Sequence, residues 1–508
     1  MDNKPEALNL TMLMDFYELT MANGYFENGY KDRIAVFDMF FRTVPDNGGF
    51  AIFAGLEQVI KYIKAIKFTD DDIKYLESFG ILSKGFLDYL KNFKFECDVW
   101  AFEEGTPMFP GEPIVKVRGP IIQAQMIETM ILLTINHQSL IATKTNRMVR
   151  AAQGRPIMEF GSRRAQGSDA AIIGARAAFI GGCVGTACTQ AGRDFGMAAL
   201  GTMAHSWVQM FESEYEAFKA YAILYPNNCT LLIDTYNVIK SGIVNAIKVF
   251  DEVLKPMGAR PKGVRIDSGD IAYLSKKLRK ILDDAGYEDC LICASNALDE
   301  YIIRDLFIQG AKVDSFGIGE NLITSKSSPV FGGVYKLSAI VDDNGKYIPK
   351  IKVSESVTKI TNPDFKEVYR LYENETGRPI GDYICLSDES IDESKPLTIF
   401  DPNAVWKQST LNNFTARKML VPIFEKGECV YTSPKLTEIR EHCQKEVNDL
   451  WEEVRRFDNP HRYYVDLSTK LKSNFYKFSR TDNIASPFYF CITIGFFQSN
   501  IIGATCGW

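Results

Sequence analysis

Short apolar runs alternate with amphipathic stretches through the middle of the chain. Each apolar run is followed within a few residues by an amphipathic stretch that has the length of a helix. Three such pairs follow one another: Leu231–Asp234 with Val238–Leu254, Gly263–Asp267 with Ile271–Ala285, and Leu291–Ala294 with Glu300–Gln309. Val313–Gly317 has the pattern of a further strand. Strands about 20 to 35 residues apart that alternate with helices predict βαβ units and a parallel sheet.

The series extends towards the N-terminus through Pro156–Phe160 and the apolar stretch at Ala198–Gly201. Successive parallel strands that each end in a polar residue or a glycine are more typical of an α/β barrel than of an open sheet. In such barrels the catalytic groups lie at the carboxyl ends of the strands. The residues at the predicted ends are Glu159, His205, Asp234, Asp267, Ser295 and Gly317. The pattern therefore predicts an active-site rim.

The regions on either side of this series have other patterns. Residues 34–56 and 95–122 combine short apolar runs with Gly and Pro, as sheet-forming segments do, and residues 126–153 predict one long helix. After the series, Gly333–Val341, an Asn-Gly turn and Lys350–Val353 predict a β-hairpin. We expect this later β segment to pack with the N-terminal one.

Together the patterns predict an α/β protein with three parts. An N-terminal β-rich α+β domain at residues 1–135 is completed by residues from about 335 to 400. Residues 136–334 form an irregular α/β barrel that carries the catalytic groups. Residues 401–508 form a charged, C-terminal helical region, most clearly at Pro434–Phe457.

Composition and charge narrow the class of protein. The chain of 508 residues is 46% hydrophobic and 24% charged with a net charge of −6, which is typical of soluble globular proteins. The lack of a basic excess argues against a nucleic-acid partner. No N-terminal signal is visible, and the apolar tail segment at Phe488–Phe497 is too short to span a bilayer. Eleven cysteines without regular spacing fit a reducing compartment. We therefore expect a cytoplasmic protein with no membrane partner.

His205 is one of only four histidines. Ser206 and Gln209 have capping-box spacing, which predicts a helix that begins just after His205. A histidine between a strand end and a helix amino end lies where backbone N–H groups and the helix dipole favour anions, so it can accept a phosphoryl group. A lone histidine is nevertheless often structural, and the local pattern leaves both interpretations open.

Asp267-Ser-Gly-Asp270 places two carboxylates at one predicted strand-to-helix turn. Ser268 or Asp270 can cap the helix, and a carboxylate can also bind sugar hydroxyls or Mg²⁺ on a polyphosphate. These interpretations are compatible. The glycines of Gly317–Gly319 predict a phosphate cradle, a pattern that is common in barrels. Arg163 and Arg164 follow a predicted strand and are either solvated or suited to bidentate binding of carboxylate or phosphate.

In combination these motifs resemble the nicotinate phosphoribosyltransferase family. The matching segments, in order, are Asp15–Ala22, Phe40–Arg42, Gly48–Ala51, Glu159–Gly167, Gly201–Ser206, Arg265–Asp270, Gly317–Gly319, Gly332–Lys336 and Asn459–Ser468. The occurrence of several such motifs in order, over roughly residues 8–470, makes the resemblance more specific than any one motif. It implies the transfer of phosphoribosyl from phosphoribosyl pyrophosphate to nicotinate, with coupled ATP hydrolysis, in NAD salvage. From about Asp482 the sequence does not match the family.

The resemblance also implies the type II phosphoribosyltransferase architecture, a homodimer whose active sites receive residues from both subunits, and Mg²⁺ as cofactor. His205 would be phosphorylated by ATP, and Asp267 and Asp270 would bind the ribose and the metal. The implied substrate-binding residues are Tyr17, Arg163, Arg164, Ser206, Arg265, Ser295, Asn296, Gly317 and Gly319.

The choice of pyridine substrate depends on one stretch. Nicotinamide-using relatives place an aspartate after a Gly-Thr, near the amide, whereas the corresponding Gly185–Cys188 has no acid and favours nicotinate. The alternatives are a transferase that uses nicotinamide or quinolinate, a non-catalytic nucleotide-binding barrel, and another phosphate-binding barrel such as a flavin oxidoreductase.

Overall fold

The structure is a computed structural model that describes residues 9–352, 361–401 and 404–480. Its N-terminal part combines helices with short strands. These elements are α1 (Phe16–Glu27), β1 (Ile34–Phe41), β2 (Ala51–Ile52), α2 (Leu56–Ala65), α3 (Asp70–Glu77), α4 (Lys84–Lys91), β3 (Asp98–Ala101), β4 (Pro107–Met108), β5 (Val115–Pro120), α5 (Ile121–Gln125) and α6 (Glu128–Ala151). The long helix predicted over residues 126–153 is confirmed as α6, which packs against α2.

Residues 157–323 contain the predicted alternation of strands and helices. These elements are β6 (Ile157–Glu159), α7 (Ser168–Gly181), β7 (Gly185–Thr186), α8 (Thr189–Phe195), α9 (His205–Gln209), α10 (Glu214–Leu224), β8 (Thr230–Leu232), α11 (Ile243–Val249), β9 (Gly263–Ile266), α12 (Ile271–Asp284), β10 (Leu291–Asn296), α13 (Glu300–Ile308), β11 (Ser315–Ile318) and α14 (Glu320–Ile323). Wider π turns at Val238–Gly242 and Phe250–Leu254 flank α11, so the helix predicted over Val238–Leu254 is confirmed.

The strands of this part form one parallel sheet in the order β7-β6-β11-β10-β9-β8. Leu231, Val264, Ile292 and Phe316 are fully buried in it, as expected for strands covered on both faces. The stretch around Ala199, which was predicted as a strand, makes only an isolated bridge to Thr186 of β7. The two-residue strand β7 itself was not predicted. Within the described residues β7 and β8 do not pair, so a closed barrel is not confirmed. The parallel arrangement nevertheless places the carboxyl ends of these strands along one edge.

The remaining elements return to the N-terminal part. They are β12 (Gly333–Val341), β13 (Tyr347–Pro349), β14 (Lys366–Glu373), β15 (Pro379–Leu386), β16 (Leu397–Asp401), β17 (Ala404–Leu411), β18 (Phe414–Lys418), β19 (Val421–Glu425), β20 (Glu428–Cys429), α15 (Leu436–Asp449), β21 (Val465–Leu467) and α16 (Thr469–Arg480). A seven-stranded sheet has the order β13-β12-β1-β5-β3-β19-β20, so the expectation that the later β segment packs with the N-terminal one is confirmed. The hairpin and its turn at Gly345 are also confirmed, but its second strand is β13, which precedes the predicted Lys350–Val353.

The expectation of a helical region from residue 401 onwards is wrong for its first part. Strands β17 to β20 occupy most of residues 404–429, and the described helices are α15 and α16. β-branched and aromatic residues such as Thr410, Phe414, Val421 and Phe424 recur in this stretch, and these residue types favour strands. The tail from Asp482 lies outside the described residues, and no described helix has the length and apolarity of a transmembrane segment.

A buried charge cluster joins the N-terminal part to β14 and β15. Arg370 and Asp382 are an ion pair with 2.7 Å between Nη2 and Oδ2, and the hydroxyl of Tyr463 donates to Asp382 at 2.9 Å. Glu112 accepts the backbone N–H of Phe109 at 2.8 Å. Burial and the charge of Asp382 raise the pKa of Glu112 well above its usual value. Burial acts in the same direction on Asp382, but Arg370 outweighs it and lowers the pKa of Asp382. A protonated Glu112 can therefore donate to an ionised Asp382.

Glu112→Gln should flatten the pH dependence of stability. The raised pKa means that the stability contributed by Glu112 is complete below the unfolded-state pKa and is lost as the pH rises through the folded-state pKa, by up to about 1.4 kcal/mol per pH unit. Glutamine keeps both hydrogen bonds without a titrating proton. Thermal unfolding midpoints at pH 5 and pH 8 would test this, with the exposed Glu425→Gln as control. An unaltered fall of the midpoint in Glu112→Gln contradicts the shared proton.

Candidate active site

His205 lies beside the carboxyl ends of β8 and β9. It is the first residue of α9, and its Nδ1 is 3.1 Å from the hydroxyl oxygen of Thr235, just after β8. Its Nε2 is 3.9 Å from Oδ2 of Asp267, just after β9. The His205 and Asp267 side chains are 40% and 32% exposed, so both remain open to a ligand. The structure therefore brings together the two residues that the sequence analysis singled out.

Asp267 is held in place as a carboxylate. The hydroxyl of Ser295 donates to its Oδ1, and Nη2 of Arg265 is 3.3 Å from the same oxygen. Burial raises the pKa of Asp267, but the hydrogen bond from Ser295 and the charges of Arg265 and His205 outweigh it, so the net shift is downward. Asp267 is thus negatively charged at neutral pH and available to stabilise positive charge.

Arg265 connects three segments of the rim. Its Nε donates to Ser295 at 2.7 Å on the neighbouring strand, and its Nη1 donates to the hydroxyl of Thr202 at 3.1 Å in the loop before His205. Its guanidinium also lies 5.6 Å from the ring centroid of Phe160. With a side chain that is 13% exposed, Arg265 is a fixed positive charge near Asp267, suited to an anionic ligand.

Asp234 sets the turn that carries Asp267. Its Oδ2 accepts the backbone N–H of Asp267 at 3.0 Å and the hydroxyl of Ser268 at 2.6 Å. Its buried Oδ1 has no hydrogen-bond donor within the described residues. From the sequence, Asp234 was predicted at the rim but not among the functional residues. Its role depends on contacts between two strand ends, which no local motif shows.

The caps predicted for α12 and α9 have different outcomes. Asp270 is the N-cap of α12 and accepts the backbone N–H of Tyr273 at 2.8 Å, so the capping interpretation is correct for Asp270. The capping box expected at Ser206 is wrong, because α9 begins at His205 after Ala204 and has no side-chain cap. Ser206 is exposed one residue after His205. The Mg²⁺ role of Asp270 stays a prediction.

The glycines at the end of β11 are required by packing. A Cβ atom at Gly317 would lie 2.5 Å from the ring of Phe160, and one at Gly319 would lie 3.1 Å from its carbonyl oxygen. β10 and β11 pair Ser295 with Gly317, which brings the predicted phosphate-binding segments together. The exposed Asn296 follows Ser295 with a φ of 151°. Close packing accounts for Gly317 without a ligand, and its phosphate contact stays a prediction.

The loop after β6 carries the predicted arginines. Glu159 is fully buried and accepts hydrogen bonds from Thr186 at 2.5 Å and from the backbone N–H of Gly161, and burial raises its pKa. Glu159 therefore stabilises the loop instead of facing a substrate. Arg163 and Arg164 beyond it are exposed, and Nε of Arg164 is 3.7 Å from Glu320.

Tyr17 has a different environment from the other predicted residues. It lies on α1, and burial together with the charge of Glu128 raises its pKa to about 12. No contact within the described part of the chain links Tyr17 to His205. A contact of Tyr17 with the rim therefore stays a prediction.

The carboxylates at the rim fit Mg²⁺ in its usual mode of binding. Among the described residues no group of three or more His, Cys, Asp and Glu side chains could form a complete protein site. Mg²⁺ is commonly held by one or two carboxylates together with substrate phosphates. Asp267, partly exposed and ionised, and the neighbouring Asp234, with one oxygen lacking a donor, match that donor set.

Comparison with known proteins gives consistent matches along the chain. Models of the nicotinate phosphoribosyltransferase N-terminal domain, family and C-terminal domain match residues 12–136, 156–370 and 365–474. Nicotinate phosphoribosyltransferase of Bacillus subtilis is 41% identical over 92% of this chain and 94% of its own length. The human protein of the same name is 30% identical over 93% and 97%.

Two solved structures also match this chain over most of its length. The crystal structure of human nicotinic acid phosphoribosyltransferase matches with a TM-score of 0.80 and 28% identity, over 92% of this chain and all of that one. Nicotinate-nucleotide pyrophosphorylase from Pyrococcus furiosus matches with a TM-score of 0.66 and 24% identity, over 87% and 96%, and supports the fold alone.

Proposed function

Because the chain belongs to the nicotinate phosphoribosyltransferase family, we propose that it transfers phosphoribosyl from phosphoribosyl pyrophosphate to nicotinate in NAD salvage. The observation that carries this is the contact of His205, Asp267 and Arg265 at one edge of the parallel sheet. The pyridine nitrogen attacks the anomeric carbon while the bond to pyrophosphate breaks, and pyrophosphate keeps the electron pair. That nitrogen is a free nucleophile, so the site needs no strong general base.

The rim residues contribute mainly by stabilising charge and not by transferring protons. The carboxylate of Asp267 stabilises the positive charge that develops on the ribose, and Arg265 offsets the charge of the phosphates. Mg²⁺, when bound, supplies further positive charge on the leaving pyrophosphate. Asp267 would hold it, with Asp270 as first expected or with Asp234, which lies closer in the hydrogen-bond network. Ser295, Asn296, Gly317 and Gly319 would bind the 5′-phosphate.

We further propose that ATP hydrolysis is coupled to transfer through His205. A proton on Nδ1 can be donated to the hydroxyl of Thr235, which leaves a lone pair on Nε2. In this step Nε2 attacks the γ-phosphorus, the bond to ADP breaks and a phosphorus–nitrogen bond forms; water later releases phosphate. A phosphorylated His205 drives transfer only if it changes the relative free energies of the bound states.

Substrate selection is the test of the proposed function. Gly185–Thr186 is β7, next to β6, and its threonine hydroxyl donates to Glu159 and accepts from the backbone of Cys188, so this stretch brings no acid to the rim. We expect kcat/KM for nicotinate to exceed that for nicotinamide by roughly 100-fold, the value of one charge-assisted hydrogen bond. Pyrophosphate release with nicotinate, nicotinamide and quinolinate, each with and without ATP, measures this. Turnover of nicotinamide alone contradicts the proposal.

We also propose that the chain acts as a cytoplasmic homodimer. Tyr17 matches a family motif yet has no contact with the rim of its own chain, so it would complete the site of the partner subunit. Phe16, Tyr17 and Met21 expose apolar surface on α1, at 47%, 44% and 37%. Light scattering of the full chain should give about twice 57.3 kDa, and a single-chain mass contradicts the dimer.

A further inference from the structure

Three arginines lie close together where the segment after α15 crosses α6, and none of the roles assigned above uses them. Arg147 and Arg150 are near the carboxyl end of α6, and Arg455 follows α15. The guanidinium groups of Arg147 and Arg150 lie 5.4 and 4.9 Å from the ring centroid of Phe457. Nη1 of Arg150 also donates to the backbone carbonyl of Arg455. We call Arg147, Arg150 and Arg455 the arginine cluster.

The neighbouring carboxylates do not neutralise the arginine cluster. Nε of Arg147 donates to Glu300 at 2.8 Å, but Nζ of Lys144 lies 2.8 Å from the same carboxylate. Asp46 is closer to Lys144, at 3.1 Å, than to Arg147, at 4.0 Å. Each carboxylate is therefore shared with a lysine. No carboxylate among the described residues forms an ion pair with the other two arginines of the cluster, so positive charge is in excess here.

The arginine cluster also has N–H groups without acceptors. Nη1 of Arg147, whose side chain is 3% exposed, and Nε of Arg455 are buried and have no hydrogen-bond acceptor among the described residues. Loss of hydration and the charges of Arg147 and Arg455 lower the pKa of Arg150 to about 9, which still leaves it charged at neutral pH. Buried charged groups without partners are costly, and oxyanions bind guanidinium groups through short hydrogen bonds.

Gly48 lies next to the free nitrogen of Arg147. A Cβ atom at Gly48 would be 3.4 Å from that nitrogen and 3.1 Å from Val44, so a longer side chain would take the place of an acceptor. The φ of Gly48 is −70°, which any residue can adopt. The surroundings of Gly48, and not its backbone conformation, therefore favour glycine.

We propose that the arginine cluster binds a small oxyanion of the size and charge of inorganic phosphate. The ion would accept hydrogen bonds from Nη1 of Arg147 and Nε of Arg455, and its charge would offset the repulsion among the three guanidinium groups. Bound there, it holds the segment around Arg455 against α6. The inference does not depend on the proposed reaction, because Ser295 and Asn296, assigned above to the 5′-phosphate, are not part of the cluster.

Binding of radiolabelled inorganic phosphate to the full chain, measured by equilibrium dialysis, tests the proposal. Arg455→Gln should raise the Kd for phosphate about tenfold, because it removes one charge-assisted hydrogen bond. Arg455→Lys keeps the charge and should bind phosphate more tightly than Arg455→Gln does. The matched control is Arg456→Gln at the exposed neighbouring position, which should keep the Kd of the wild type.

The unfolding midpoint in phosphate-free buffer is a second readout. Arg455→Gln should raise this midpoint, because the variant has one like charge fewer in the cluster, and phosphate should then stabilise it less than it stabilises the wild type. An arginine that only supports the fold would give the opposite sign. A lower phosphate-free midpoint for Arg455→Gln therefore contradicts the proposal.

The source of the bound phosphate is decided by competition. Ribose 5-phosphate should not displace inorganic phosphate from the arginine cluster, because a buried site for a small ion has no room for the sugar. If ribose 5-phosphate displaces all of the bound phosphate, the ion occupies a sugar-phosphate site and the proposal is wrong. It is also wrong if the wild type binds no phosphate, or if Arg455→Gln binds it as tightly as the wild type.

Discussion

Asp267→Asn should lower kcat/KM for phosphoribosyl transfer by at least about 100-fold, both with and without ATP. Asparagine has nearly the same shape and can still accept the hydrogen bond from Ser295, but it lacks the charge that stabilises a cationic ribose. Because the pKa of Asp267 is lowered, the wild-type carboxylate is charged from mildly acid to alkaline pH, and the defect should be the same throughout. Pyrophosphate release at saturating nicotinate measures it.

The control for this prediction is Asp299→Asn. Asp299 is the N-cap of α13, after the next strand of the same sheet, and asparagine is an equally good cap. This variant should therefore keep both activity and thermal stability. If Asp267→Asn has the kinetics of Asp299→Asn, the carboxylate at 267 does no more than shape its turn.

His205→Ala should abolish coupled ATP hydrolysis and leave weak, ATP-independent transfer. The variant lacks the nitrogen that accepts the phosphoryl group, whereas Asp267, Arg265 and Ser295 keep their mutual contacts, which do not pass through His205. Phosphate release from ATP and formation of nicotinate mononucleotide are measured in the same sample. We expect phosphate release to fall to background and transfer with ATP to fall to its rate without ATP.

A second variant distinguishes loss of the nucleophilic nitrogen from loss of the side chain's bulk and polarity. His205→Gln retains a polar side chain next to Thr235 but has no nucleophilic ring nitrogen, so it should behave as His205→Ala does. If either variant still hydrolyses ATP in step with product formation, the phosphohistidine role is wrong. Restored coupling in His205→Gln alone would indicate that the histidine positions the site and does not carry the phosphoryl group.

Much of the parallel sheet could be predicted because its signals are local. Val264 and Ile292 belong to apolar runs that are buried on both faces. Each run is followed by a stretch with the hydrophobic period of a helix, so the order of strands and helices can be predicted from short segments of sequence. Very short strands, and strands with only one buried face, could not be predicted in this way. β7 has only two residues, and the strands between residues 404 and 429 are recognisable chiefly by their pairing with partners such as β3.

The family, the order of the sheet-forming and helical segments, and the candidate residues His205 and Asp267 followed from the amino-acid sequence alone, because each depends on residue types at short spacing. How these residues work together follows from the fold. It joined Arg265, Ser295 and Asp267 across neighbouring strands, made Asp234 the support of the Asp267 turn, and buried Glu159 away from the rim. It also placed Tyr17 beside Glu128 of α6. Contacts between residues distant in the chain depend on how the strands pair and stack, which no local pattern contains.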